Sequence, residues 1–166
     1  MDLKKYLLVI LVLTFTFLKG QAQNSVSVTS RSITTFEMTA ILASGDHIES
    51  VVDNTQWLNY SHNWHYGDPL ATISVAIPSG TIPPGMEIYI QADKYQGPGW
   101  SWLAGQPTGK IKLGNIPIVL IDGIGDFDTS KGKNRGHRLT LTILIVNYAL
   151  VNTGSYTLNL QYTLSQ

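Results

Sequence analysis

The clearest pattern in this chain is a strict alternation of apolar and polar residues near its C-terminal end. Between residues 155 and 165, leucines and tyrosines occupy every second position, with serine, threonine, asparagine and glutamine between them. Only an extended strand places alternate side chains on opposite faces. Residues 155–165 are therefore predicted to form a strand with one apolar, aromatic face and one polar face.

A second alternating segment, residues 138–146, precedes this strand. Leucine and isoleucine occupy every second position from 139 to 145, opposite arginine and threonine. Turn-forming residues at 151–154 separate the two segments. This arrangement predicts two antiparallel neighbours joined as a hairpin.

Shorter apolar runs bounded by glycine and proline predict further strands upstream. They lie at residues 26–28, 55–60, 73–77, 86–92 and 116–121. Residues 33–43 are ambiguous: Ile33, Phe36, Ile41 and Leu42 fit a helical stripe, whereas three threonines favour a strand or a loop. Seven or more strands with frequent turns predict an all-β fold, a single antiparallel β-sandwich of Ig-like type.

The N-terminal residues carry a different pattern, which predicts a signal peptide. Lys4 and Lys5 precede an apolar run over residues 6–18, and small residues stand at Gly20 and Ala22. The run is 13 residues long, whereas a membrane span needs about 20. We therefore expect a signal helix over 1–22 that is cleaved after Ala22, one domain over 23–166, and no membrane span in that domain.

Composition narrows the function classes. Residues 23–166 contain 8 Lys+Arg and 10 Asp+Glu, a net charge of −2. Nucleic acid is therefore not an expected partner, since phosphate neutralisation needs clustered positive charge. The chain has no cysteine, which excludes thiol catalysis, a disulfide scaffold and zinc–thiolate sites.

Two groups of residues have metal-ligating side chains, but neither has the spacing of a metal site. His62 and His65 point to opposite faces of an extended chain, so they do not converge on one ion. Asp122, Asp126 and Asp128 supply the oxygen ligands that calcium prefers but depart from the EF-hand spacing. We predict no metal and no cofactor, with calcium at the three aspartates as an open alternative.

Catalytic motifs are absent from the sequence. It contains no Gly-x-Ser-x-Gly elbow, and nothing in its spacing brings two carboxylates together across a cleft for sugar hydrolysis. We therefore predict that the protein is not an enzyme and has no catalytic residues.

Aromatic residues form the strongest candidate for binding. Tyr95, Trp100 and Trp102 lie in one loop rich in glycine and proline, and Trp57 lies in a predicted strand. Exposed aromatic faces stack on sugars or on partner proteins. The structural alternative is that Trp57 and one of the loop tryptophans are core residues.

A basic segment follows the three aspartates. Residues 131–138 contain two lysines, two arginines and a histidine. Such a loop is either a solvated turn balanced by the acids before it, or a contact for an anionic glycan or membrane surface.

Three features together resemble a family of exported bacterial domains. They are a signal peptide ending in Gln21-Ala22-Gln23, a glycine-rich loop before a long penultimate strand, and the ending Thr153–Leu164. The chain resembles pilin-like and spore-coat-U-like secreted domains, which are Ig-like sandwiches. The resemblance implies association with other subunits by strand addition. Val26–Thr29 is a candidate donor strand, and it can equally pair within its own domain.

These features lead to one expected function and one alternative. We expect a non-enzymatic bacterial domain that is secreted to the periplasm or the cell surface, with a structural or adhesive role. Its expected partners are other protein subunits or extracellular glycans. The alternative is a carbohydrate-binding module that uses Trp57, Tyr95, Trp100 and Trp102.

Overall fold

The computed structural model describes residues 24–29, 50–152 and 156–166. The predicted signal peptide (1–22), the ambiguous segment 33–43 and part of the predicted turn at 151–154 lie outside the described residues.

The described residues form β-strands and two short 3₁₀ turns, at Ser101–Leu103 and Tyr148–Leu150. The strands are β1 (Ser25–Thr29), β2 (Ser50–His62), β3 (Ala71–Ser79), β4 (Met86–Ala92), β5 (Ala104–Pro107), β6 (Lys110–Lys112), β7 (Ile118–Ile124), β8 (Phe127–Asp128), β9 (His137–Ile145) and β10 (Asn159–Ser165).

These strands build two antiparallel sheets that pack against each other, which confirms the predicted all-β sandwich. The larger sheet has the order β1-β2-β9-β4-β6, and the short β8 also pairs with β2. The smaller sheet has the order β10-β3-β7-β5. The candidate donor strand is β1, which pairs with β2 of the same chain, with Ser25 opposite Ser61 and Thr29 opposite Trp57.

The predicted hairpin between the last two strands is wrong. β9 lies between β2 and β4 in the larger sheet, whereas β10 pairs with β3 in the smaller sheet. The alternation of side chains determines which face of a strand is buried, but it does not determine the neighbouring strand. The segment between β9 and β10 contains the 3₁₀ turn Tyr148–Leu150 and is long enough to cross from one sheet to the other.

The core lies between the two sheets and is almost wholly aliphatic. Ile73 and Ile121 are opposite each other on β3 and β7, and both are fully buried. Leucines and a tyrosine of β10 pack against this cluster, as the alternation in residues 155–165 predicts. The part of the chain that the structure describes contains no helix with the length and apolarity that a membrane span requires.

Candidate functional site

Several loops of the sandwich meet at one end, which we call the loop end. It is the end at which β2 and β4 finish and β5 and β9 begin. Three connections lie here: residues 63–70, residues 93–103 and residues 129–136. Hydrogen bonds between the two sheets at Ala104 and at Gly125 show that both sheets contribute to this end.

A buried polar group beneath the loops joins the two sheets. The Tyr60 hydroxyl donates to the Ala104 carbonyl and lies 2.9 Å from Nε2 of His137. His137 Nδ1 lies 2.8 Å from the Asp93 carbonyl, so this nitrogen carries the proton that it donates. Burial lowers the pKa of His137 and raises the pKa of the Tyr60 phenol far above its usual range. Both groups are therefore neutral at physiological pH, and the hydrogen bond from Tyr60 to the Ala104 carbonyl joins the larger sheet to the smaller one.

Tyr95 anchors the aromatic loop to this buried group. Its half-buried ring makes edge contacts with Phe127 and His137, at centroid distances of 5.0 and 6.1 Å. Its hydroxyl donates to the Pro98 carbonyl at 2.6 Å. Gly97 has a φ of 146°, and a Cβ there would lie 2.5 Å from the Tyr95 hydroxyl. The loop can fold over Tyr95 because position 97 has no side chain.

Trp100 and Trp102 form an exposed aromatic pair beyond this anchor. Their ring centroids are 6.3 Å apart, and their planes are 20° from parallel. Trp100 is 70% exposed and Trp102 is 66% exposed. This geometry is that of an offset-stacked pair, whose centroids lie about 4.5–7 Å apart, and about two-thirds of each side chain remains open to solvent. We refer to these two residues as the tryptophan pair.

The segment that carries the tryptophan pair is fixed at both ends. At its start, the Gln96 N–H donates to the Gly136 carbonyl at 2.8 Å. At its end, Leu103 closes the 3₁₀ turn by donating to the Trp100 carbonyl, and its own carbonyl accepts from Gly125 N–H at 2.9 Å. The pair is therefore presented on an ordered turn.

The predicted aromatic site is only partly assembled. The structure brings Tyr95, Trp100 and Trp102 into one loop. Tyr95 supports that loop, and the two tryptophans form its exposed surface. Trp57 is 4% exposed on β2, so the assignment of Trp57 to the binding surface is incorrect. Its ring lies outside the buried cluster between the two sheets, but it is closed to solvent and therefore to a ligand.

The loop end carries further exposed apolar side chains. Tyr66 is 98% exposed and Leu70 is 51% exposed. Leu70 directly precedes β3, whose first residue, Ala71, is opposite Ile124 of β7. Their exposure depends on tertiary contacts, which no local pattern reveals.

The basic segment forms a closed loop on the outer side of β2. The buried amide of Asn59 donates to the carbonyls of Arg135 and Gly132, at 2.6 and 3.2 Å, and accepts from the Gly132 N–H. Lys131, Lys133 and Arg135 are exposed on this loop. The same loop receives the hydrogen bond from Gln96, so it lies beside the aromatic loop.

A polar cavity of about 260 Å³ opens next to the basic loop. Its lining is formed mainly by hydroxyl groups and by one opposite pair of charges: Ser25, Ser27, Ser61, Ser130, Asp128 and Lys131. Isolated serines give no signal in the sequence, and only the pairing of β1 with β2 brings them together.

The metal-ligating residues of the sequence do not form a site in the described part of the chain. There, no three histidine or carboxylate side chains are close enough to hold an ion. His62 is buried, with Nδ1 2.9 Å from the Gly125 carbonyl, whereas His65 is exposed and lies 3.7 Å from Asp68. The Asp128 carboxylate accepts from the Ser130 N–H at 2.6 Å.

Comparisons of this chain with protein-family models, curated proteins and solved structures found no match.

Proposed function

We propose that this protein is an exported, non-enzymatic adhesive domain, and that its loop end binds carbohydrate through Trp100 and Trp102. The observation that supports this most strongly is the tryptophan pair itself, two large rings that are about two-thirds exposed on an ordered turn. Export is proposed from the sequence of residues 1–22.

The chemistry of the pair suits a sugar ring. The face of an indole carries partial negative charge, and the C–H groups on one face of a pyranose are weakly positive and apolar. Stacking the two together buries both apolar surfaces and leaves the hydroxyl groups of the sugar free for hydrogen bonds. Asp126 supplies an exposed carboxylate next to Gly125, which is bonded to the turn at Leu103.

The size of the pair also favours a small ligand over a protein partner. A large aromatic side chain buries about 150–250 Å², so two rings provide about 300–500 Å². A standard protein interface buries about 800 Å² on each side. The pair alone is therefore too small for such an interface, and it is large enough to contact one or two sugar rings.

Strand addition, the other proposed route to a partner, is disfavoured at the edge formed by β6. Lys110 and Lys112 are both exposed on this three-residue strand. Short edge strands with lysine side chains oppose pairing with another chain.

The experiment that tests the proposal is a glycan panel read by intrinsic tryptophan fluorescence. We expect at least one polysaccharide to shift the emission, and Trp100→Ala and Trp102→Ala each to weaken its binding by about tenfold or more. Ile116→Ala is the matched control, because Ile116 is also strongly exposed but lies at the opposite end of the sandwich. No binding by any glycan, or equal losses in the control variant, would overturn the proposal.

A further inference from the structure

We infer that the carbohydrate bound at the tryptophan pair is acidic, and that Lys133 and Arg135 of the basic loop contact its carboxylate groups. This inference rests on the proposed function and adds the chemical class of the ligand.

The first observation is a concentration of positive charge in one loop. Lys131, Lys133 and Arg135 are every second residue within a stretch of five, and all three are exposed. Within the described residues, no ion pair joins any of these three cations to a carboxylate. Three like charges in one short loop repel one another, and an anionic ligand removes that repulsion.

The second observation is the unusual backbone conformation of the basic loop. Ser130 and Asn134 have φ values of 58° and 61°. These values lie in the left-handed region, which residues other than glycine rarely adopt. Within the described residues, they alone among non-glycine residues have positive φ. Strained backbone of this kind persists only where the surroundings fix it, and it is concentrated at ligand sites.

The buried contacts of the loop fix it in place. Gly136 has a φ of 87°, and a Cβ at this position would lie 2.0 Å from the Leu58 carbonyl. The loop can approach β2 this closely only with glycine at position 136. Together with the three hydrogen bonds of Asn59, this contact holds the three cations in a fixed arrangement.

The third observation places the basic loop against the start of the aromatic loop. The Gln96 N–H donates to the Gly136 carbonyl, so the basic loop and the aromatic loop are in direct contact. Burial raises the pKa of Tyr95, and the charge of Arg135 acts on the same phenol in the opposite direction. A glycan longer than the tryptophan pair can extend from the aromatic loop onto the basic loop that contacts it.

The polar cavity adds hydroxyl contacts on the far side of the same loop. Asp128 lines this cavity together with Lys131, and its negative charge disfavours an acid group there. This distribution assigns the acid groups of the glycan to Lys133 and Arg135, which do not line the cavity. Neutral hydroxyl groups of the glycan suit the serine-lined cavity.

The test compares polysaccharides that differ only in charge. Polygalacturonate, alginate and hyaluronan are each titrated beside their methyl-esterified forms, and cellulose, xylan and phosphatidylserine vesicles complete the panel. We expect the acidic form to bind at least about tenfold more tightly than its ester in at least one pair. We also expect its affinity to fall when the salt concentration rises from about 0.05 to about 0.5 M.

Two sets of variants test the contribution of charge. The triple variant K131Q/K133Q/R135Q is expected to lose about tenfold or more in affinity for the acidic form and to bind the ester as the parent does. The single variants Arg135→Gln and Lys110→Gln form the matched pair, because each removes one exposed cation and Lys110 lies on β6, away from the basic loop.

The outcomes distinguish failure of this inference from failure of the proposed function. Binding to esters or neutral polysaccharides as tight as to the acids overturns the inference and leaves the proposed function in place. No binding to any polysaccharide overturns both. Binding to the vesicles alone also overturns both and identifies the loop end as a membrane contact.

Discussion

The interior of this sandwich differs between its centre and the loop end. At the centre, between β3 and β7, the buried side chains are aliphatic, and Ile73 and Ile121 are fully covered. The loop end contains the buried polar side chains of the described residues: Asn59, His62, Thr129 and His137. The comparison shows that the sheets are stabilised by apolar packing and their own hydrogen bonds, whereas the loops need side-chain partners.

The reason is that loop backbone lacks the regular partners of a sheet. A buried backbone N–H or C=O without a partner costs free energy comparable to a lost hydrogen bond. At the loop end, Thr129 Oγ1 accepts a hydrogen bond from the Tyr60 N–H. The side-chain amide of Asn59 donates to the carbonyls of Gly132 and Arg135. The polar interior therefore fixes the two loops that carry the proposed site.

The largest expected effect comes from breaking the aliphatic centre. Ile73→Ala is expected to lower the free energy of unfolding by about 2–5 kcal/mol, because it removes buried methylene groups and leaves a cavity. Urea denaturation measures this change. Ile73→Val is the graded control, with an expected cost of about 0.5–1.5 kcal/mol. Equal, small losses in both variants would mean that this centre repacks freely.

A smaller and more local effect is expected from the polar interior. Asn59→Ala leaves the carbonyls of Gly132 and Arg135 without the amide that binds them, at an expected cost of about 1–3 kcal/mol. Limited trypsin digestion under native conditions should cleave the basic loop faster in this variant. Asn115→Ala, on an exposed loop, is the matched control. An unchanged cleavage rate in Asn59→Ala would show that the amide does not hold the loop.

The same contrast explains how much of this structure the sequence predicts. Alternation identifies β3, β4 and β9, because each has a buried face of regularly spaced aliphatic residues. The strands β5, β6 and β8 have four, three and two residues, which is too short for a period to be visible. The exposure of Trp100 and the burial of Trp57 depend on tertiary contacts, and the sequence alone does not distinguish them.

The pH dependence of stability provides a finer test of the polar interior. Burial lowers the pKa of His137 in the folded state, below the value of about 6.5 expected in the unfolded chain. Above pH 6.5 both states are neutral at this residue, so its contribution is fully present. As the pH falls below about 6.5, the unfolded state binds the proton first, and stability decreases until the folded pKa is passed.

Urea denaturation between pH 8 and pH 5 measures this dependence. His137→Gln removes the titrating group, so its stability is expected to fall less steeply than that of the parent below pH 6.5. His65→Gln, at an exposed histidine, is the matched control. Its free energy of unfolding at pH 8 is compared with that of His137→Gln. A His137→Gln protein with the same acid slope as the parent would contradict the assignment to this residue.

The smallest expected effect on stability belongs to the tryptophan pair. Because Trp100 is 70% exposed, Trp100→Ala is expected to change the free energy of unfolding by no more than about 0.5 kcal/mol. A loss of glycan binding at unchanged stability would show that the ring serves a ligand. A loss of more than about 1 kcal/mol would instead assign the ring to the packing of the loop. In that case the buried polar side chains would stabilise a loop with a structural role only, because Trp100 would be needed for packing and would not be available to a sugar.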